Sequence, residues 1–228
     1  MIGVIILCRY NSNRLPGKIL KEIEGKVILK YIYERLQLIK NEVKIVVATS
    51  VYESDDKIEK FCISNSIPCF RGDLADVSKR FLDCAEYFNF KSIVRINGDN
   101  IFTDSKLIDY MIDYFKLNNL NFLSNVKGRT WPKGISVEII KTSFYKSFIS
   151  QFSDSDKEHV MTFFYKKDFD NVQFIKNQIN INSNINLAID TIEDFERAKS
   201  ILKFMKNDHK SYSYTQILKK YQKIVDEK

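Results

Sequence analysis

Residues 2–18 read Ile-Gly-Val-Ile-Ile-Leu-Cys-Arg-Tyr-Asn-Ser-Asn-Arg-Leu-Pro-Gly-Lys, and their reading decides the fold. Ile2–Leu7 is a continuous apolar run of strand length. Beyond it lies a polar loop with three cations, Arg9, Arg14 and Lys18. Ser12 adds a hydroxyl, and Pro16-Gly17 favours a turn. Cations and backbone N–H groups that converge beyond a strand end can hold a polyphosphate. The segment is neither the G-x-x-x-x-G-K-[ST] loop nor the G-x-G-x-x-G turn. Its spacing leaves two readings open, an anion site or a solvated loop with scattered charge.

Working outward, the pattern alternates. Val27–Ile39 has helical spacing through Ile28, Tyr31, Ile32, Leu36 and Ile39. Lys44–Ala48 reads as a strand, Asp55–Ser64 as a helix and Pro68–Phe70 as a short strand. Val77, Phe81, Ala85 and Phe88 share a helix face. Ser92–Ile96 reads as a strand, Leu107 to Phe115 as a helix, and Asn121–Leu123 as another strand. Strands alternating with helices predict an α/β fold, a three-layer Rossmann-like arrangement around a mostly parallel sheet. Ligands bind such sheets at the carboxyl edge. The loops after Leu7, Ala48, Phe70, Ile96 and Leu123 are therefore the ones to inspect. The second half is less regular. Ile135–Ile140, Val172–Gln178 and Ile185–Ile189 suggest strands. Thr142–Gln151, Ser155–Lys166, Thr191–Met205 and Tyr214–Val225 suggest helices. With no repeat and no Pro/Gly-rich linker, one domain over 1–228 is expected, with an inserted subregion at about 128–180.

The chain has 228 residues, 44% of them hydrophobic and 13% aromatic, enough for a substantial core. No apolar run approaches the roughly 20 residues that span a bilayer, and no signal peptide is evident. A soluble, cytoplasmic protein without membrane partners is expected. Four cysteines (Cys8, Cys62, Cys69, Cys84) lack C-x-x-C spacing and read as small buried hydrophobes. Two histidines exclude a multi-histidine zinc site. The net charge of +7 comes from 28 Lys and 8 Arg against 29 acidic residues. Most Lys are dispersed. Arg, whose fork suits planar anions, is scarce enough for its positions to be informative.

Two carboxylates end strand signals. Asp99, in Asn97-Gly98-Asp99-Asn100, could hold Mg²⁺ or belong to an ordinary turn. Asp190 follows Ile185–Ile189. Thr191 and Asp194 fit a capping box, which leaves Asp190 outside the cap. Ser155–Glu158 fits a second box. His159 is equally suited to substrate contact or packing. Arg95, among apolar neighbours, requires an anionic partner. No nucleophile–base constellation stands out. Nucleotidyl transfer tolerates that absence, because the acceptor brings its own nucleophile.

Arg9-x-x-Ser12-x-Arg14-Leu15-Pro16-Gly17-Lys18 resembles the cytidylyltransferases that make CMP-activated sugars, closest to the spore-coat polysaccharide branch. The CMP-Kdo and CMP-sialic acid synthetases are more distant. Further segments are similar in the same order: Phe70-Arg71-Gly72 with Asp76-Val77 and Arg80; Val94-Arg95-Ile96-Asn97-Gly98-Asp99; Ser124-Asn125, Arg129 to Gly134 and Val137-Glu138; Glu158-His159-Val160-Met161-Thr162; and Ala188 to Asp194. Ser136 stands where the branch has Asp, and Ile192 where it has Pro. The resemblance implies a Mg²⁺-dependent enzyme. Its substrates would be CTP and a sugar acid or sugar phosphate, and pyrophosphate would be released. Arg14, Lys18 and Asp99 would be catalytic. Leu7, Arg9, Ser12, Arg14, Lys18, Arg71, Asp76, Arg80, Asn97 and Gly98 would meet the nucleotide. Arg129, Glu138 and His159 would meet the acceptor, and Asp99 and Asp190 the metal. It also implies a homodimer paired through the inserted subregion. A nucleotide-sugar-dependent glycosyltransferase is the main rival, but it would usually carry Asp-x-Asp where this chain has Asn97-Gly98-Asp99. A basic nucleic-acid-binding domain ranks lower, because the aromatics fall on apolar faces, so no nucleic-acid partner is expected.

Overall fold

Alternation along β1 (Ile2–Leu7) sets the layers, because successive strand side chains point to opposite faces. Val4 and Ile6 enter one core and Ile5 and Leu7 the other. The computed structural model describes residues 1–178 and 185–226. After β1 come a short hairpin, β2 (Glu22–Ile23) and β3 (Lys26–Val27), then α1 (Ile28–Leu36), β4 (Val43–Ser50), α2 (Asp56–Ser64) and β5 (Cys69–Gly72). Next are α3 (Val77–Tyr87), β6 (Ser92–Asn97), α4 (Ser105–Leu117) and β7 (Phe122–Ser124). The remainder comprises β8 (Glu138–Lys141), α5 (Thr142–Phe148), α6 (Asp154–Glu158), α7 (Phe163–Lys166), β9 (Val172–Phe174), α8 (Ile192–Lys203) and α9 (Tyr214–Asp226).

Seven strands form one sheet in the order β5-β4-β1-β6-β8-β7-β9. Only β8 runs against its neighbours, antiparallel to both β6 and β7. The expected α/β fold with a mostly parallel sheet is therefore what forms. Helices α1, α2, α4, α8 and α9 pack their apolar stripes on one face, through residues such as Ile32, Ile58, Met111, Ile201 and Ile217. Helices α3, α5 and α7 cover the other through Phe81, Tyr145 and Phe164. The chain leaves β1 for β4 and β5 on one side and returns to β6 on the other. Leu7 and Asn97 are register partners at the carboxyl ends of β1 and β6. That reversal opens a crevice between the two strands.

Several sequence-based expectations in the second half need correction. Ile135–Ile140 is not all strand. Asn125 donates from Nδ2 to the Ile135 carbonyl at 2.8 Å and accepts the Val137 N–H at 2.8 Å. Its side chain thus takes the place of a strand partner, and β8 starts only at Glu138. Ser155–Lys166 is not one helix. It breaks at Val160, whose φ of 33° is left-handed and incompatible with helix continuation. The capping box there joins Ser153 to Asp156, not Ser155 to Glu158. Ile185–Ile189 forms a single bridge, Lys133 to Asn186, instead of a strand. Gly134 turns away at φ 90° immediately afterwards. β9 stops at Phe174, and part of the Asn- and Ile-rich stretch beyond it, 179–184, lies outside the described residues. Among the described residues no helix is long and apolar enough to cross a membrane. Cys8, Cys62, Cys69 and Cys84 are free thiols, three of them buried.

Candidate active site

The loop after β1 is folded from within and anchored from below. The Tyr10 carbonyl accepts N–H groups from Ser12 at 3.0 Å and Gly17 at 2.8 Å. Gly17, at φ 70°, opens the tight turn that carries Lys18. The anchor is Asp55, 1% exposed, a residue that sequence reasoning missed. Its carboxylate accepts the Tyr10 N–H at 2.7 Å, the Ser50 N–H at 2.9 Å and the hydroxyls of Thr49 and Ser50. Burial pushes this carboxyl up, but the four donors outweigh burial and hold it below its usual value. Nothing in the local sequence distinguishes Asp55 from Asp56 beside it.

A cleft of about 550 Å³ opens above β1 and β6. Leu7, Arg9, Ser12, Arg14, Lys18, Arg80, Asn97, Gly98, Asp99, His159 and Asp190 all line it. Eleven of the positions singled out from the sequence are thus gathered in one place. The two carboxylates meet there because the Asp99 carbonyl accepts the Ile189 N–H at 3.0 Å, which ties the segment before Asp190 to the end of β6. The Thr191–Asp194 capping box forms as expected and holds the Asp190 N–H on Asp194 Oδ2 at 3.0 Å. Asp190 is left with its own carboxylate in the cleft.

Every cation of the loop has an acidic neighbour. Lys18 Nζ donates to Asp190 Oδ1 at 2.9 Å and to the Ile189 carbonyl at 2.7 Å, and lies 3.9 Å from Asp99 Oδ2. Arg14 reaches Asp190 Oδ2 at 3.1 Å, and Arg9 lies 3.9 Å from Glu158. Burial raises the Asp99 carboxyl above its usual value; Lys18 opposes the shift and Asp190 adds to it. Asp99 Oδ1 is out of contact with solvent and lacks a hydrogen-bond partner among the described residues. Such an oxygen beside a second carboxylate suits a divalent cation of the Mg²⁺ type, which takes one or two protein carboxylates and completes its shell with water and phosphate oxygens. No cluster of three or more His, Cys, Asp or Glu side chains able to hold a metal occurs among the described residues.

Arg80 is 2% exposed, so it is not on the wet face of its helix. Its Nη1 donates to the Asp73 carbonyl at 2.6 Å, while its buried Nε has no partner among the described residues. Gly72 makes room for it: a Cβ there would lie 2.8 Å from Arg80 Cγ. Arg95 also lines the cleft and finds the anion it requires in Glu138, its cross-strand partner.

Four of the singled-out residues do not line the cleft. Arg71 faces away, held by Asp56 at 2.7 Å and Glu59 at 2.8 Å. Asp76 caps α3 by accepting the Lys79 N–H at 2.7 Å. Glu138 is 2% exposed and engaged by Arg95 and the Tyr165 hydroxyl. Arg129 sits in a turn at φ 22°, its N–H bonded to the Val126 carbonyl. For Arg71, Asp76 and Glu138 a neighbour within the protein takes the group that a ligand was expected to meet.

A doubly wound sheet whose switch point carries paired cations and carboxylates has the architecture of a nucleotide-handling α/β enzyme. The cytidylyltransferase family model matches residues 3–227, and the chain belongs to that family. A cytidylyltransferase from Leptospira borgpetersenii superposes with a TM-score of 0.92 at 33% identity, covering 99% of this chain and 95% of that one. The spore coat polysaccharide biosynthesis protein SpsF of Bacillus subtilis is 30% identical over 207 residues, 86% of this chain and 84% of its own length. The 8-amino-3,8-dideoxy-manno-octulosonate cytidylyltransferase of Shewanella sediminis is 30% identical over 118 residues, 50% of this chain and 47% of its own. The chain is therefore a nucleotidyltransferase and not the rival glycosyltransferase.

Proposed function

We propose that the protein transfers CMP from CTP to a sugar acid or sugar phosphate, with release of pyrophosphate, in a glycan-building pathway. The observation that carries this reading is the meeting of Asp99 and Asp190, from separate strand ends, with Lys18 and Arg14 in one cleft. Arg9, Arg14 and Lys18 would hold the triphosphate and offset the charge that develops on departing pyrophosphate. Arg80 Nε, buried and without a partner among the described residues, would meet the nucleotide at the inner wall. Asp99 and Asp190 would hold Mg²⁺, which neutralises phosphate charge and polarises the phosphorus under attack. The acceptor oxygen would attack from the side of His159, which opens onto the same cleft. The acceptor class rests on the names of the relatives, one concerned with a coat polysaccharide and one with an octulosonate.

The test is pyrophosphate release from CTP and Mg²⁺ with a panel of nonulosonic acids, ulosonic acids and sugar phosphates. Turnover is expected with CTP and at least one acceptor. Asp99→Ala should lower it about 100-fold, the effect of about 2.7 kcal/mol of lost transition-state stabilisation, with the fold intact. Full activity in that variant would refute the metal assignment. Turnover with another triphosphate but not CTP would refute the base.

A further inference from the structure

Lys18 has more contacts than a residue waiting for phosphate requires. Its side chain is only 14% exposed, and its ammonium lies among three oxygens from three residues: Asp190 Oδ1, the Ile189 carbonyl and Asp99 Oδ2. Two of these oxygens belong to the carboxylates assigned above to the divalent cation. We infer that Lys18 is a tethered cation that competes with the divalent metal for the Asp99–Asp190 site, so that metal enters only when the triphosphate draws Lys18 away. The inference rests on the proposed metal assignment and goes beyond it.

The physical case is one of charge and space. Two carboxylates converge at the end of β6, and Asp99 Oδ1 there has no donor among the described residues. Coulomb repulsion between such groups is large where water is scarce, so a cation must sit with them. Lys18 supplies one positive charge and three donors in that position. An ammonium and a divalent ion placed among the same oxygens repel strongly, and the first must leave for the second to bind. Lys18 is attached through the Gly17 turn at the rim of the cleft, next to Arg14 and Ser12. A triphosphate bound across that rim offers the ammonium new anionic partners. Nucleotide and metal then favour each other's binding, because each is coupled to the same displacement.

Mn²⁺ binding to the full chain provides the test, read as the loss of the free-ion electron paramagnetic resonance signal. Without nucleotide, wild type should bind Mn²⁺ weakly. Lys18→Met, which keeps length and removes charge, should bind it about tenfold more tightly, equivalent to about 1.4 kcal/mol. Lys18→Arg, which keeps the charge, should stay weak. Adding Asp190→Asn to Lys18→Met should abolish the gain. Lys18→Gln serves in the same role if circular dichroism shows Lys18→Met misfolded. Equal or weaker Mn²⁺ binding in a folded, charge-free variant overturns the inference. A CTP-containing arm, read as Mn²⁺ retained with the protein beyond a protein-free CTP blank, separates the two proposals. If Asp99→Asn takes up Mn²⁺ with CTP as wild type does, the metal assignment fails and the inference falls with it. If uptake with CTP needs Asp99 but the charge-free variant gains nothing without CTP, the inference alone fails.

Discussion

At the scale of single residues, the cleft depends on a carboxylate that is not part of its lining. Asp55 satisfies four donors at once, from the end of β4 and from Tyr10 in the cationic loop. Asp55→Asn keeps the volume but turns an amide toward those donors. The expected loss is about 3 kcal/mol, in the range for stranding buried donors of a charged acceptor. The pH dependence follows from the direction of the shift. The folded carboxyl lies below its ordinary value, so its contribution is full above about pH 4 and is lost as pH falls through the folded value. Urea melts should therefore show wild type and variant far apart at pH 7 and closer at pH 3. A gap that stays constant would mean the charge is not what Asp55 contributes. Asp55 was not legible because its hold on the cationic loop joins residues 45 positions apart. Arg9, Arg14 and Lys18 were legible for the opposite reason: they are neighbours along the chain, and their spacing alone announces converging charge.

At the scale of elements, the first half was legible, and so were the helices α5, α8 and α9, whereas the segments at 135–140, 155–166 and 185–189 were not. From β1 to α4, continuous apolar runs alternate with amphipathic stretches, and each element buries the stripe its own sequence displays. After β7, partners decide. Asn125 takes hydrogen bonds that a strand at 135–137 would have used. Leu187, Ala188 and Ile189 are buried, yet among the described residues the segment forms one bridge, at Lys133, and otherwise only the backbone hydrogen bond from the Ile189 N–H to the Asp99 carbonyl. Gly134 makes the bridge possible. A Cβ there would lie 2.5 Å from the Ala188 nitrogen and 2.6 Å from the Leu187 carbonyl carbon, and its φ of 90° already disfavours a side chain. Gly134→Ala should thus cost about 3 kcal/mol through overlap and backbone strain, and should depress turnover by moving the segment that carries Asp190. Gly128, at φ 71° with nothing within 4 Å, is the control. Gly128→Ala should cost about 1 kcal/mol and leave turnover unchanged. Equal losses in the two variants, by denaturant melts, would show that overlap with 187–188 contributes nothing.

At the scale of the whole molecule, the +7 charge is mostly dispersed Lys, whereas the scarce arginines mark the fold's working end. Arg9, Arg14, Arg80 and Arg95 line one cleft. Their concentration there, with carboxylates already interleaved, fits a compact anion of high charge density. The prediction is a thermal shift that is selective for one base. A ligand bound only by the folded state stabilises it by RT ln(1 + [L]/Kd), about 2.7 kcal/mol at a hundredfold excess over Kd. For a chain of 228 residues that corresponds to a rise in Tm of roughly 5–10 °C. CTP with Mg²⁺ should produce it, and ATP, GTP and UTP at equal concentration should not. CTP with EDTA should give a smaller rise, because the Arg and Lys contacts remain while the coupled metal is withdrawn. Equal shifts from all four triphosphates would mean that the cleft grips phosphate without reading the base. An undiminished shift in EDTA would mean that nucleotide binding gains nothing from the Asp99–Asp190 pair.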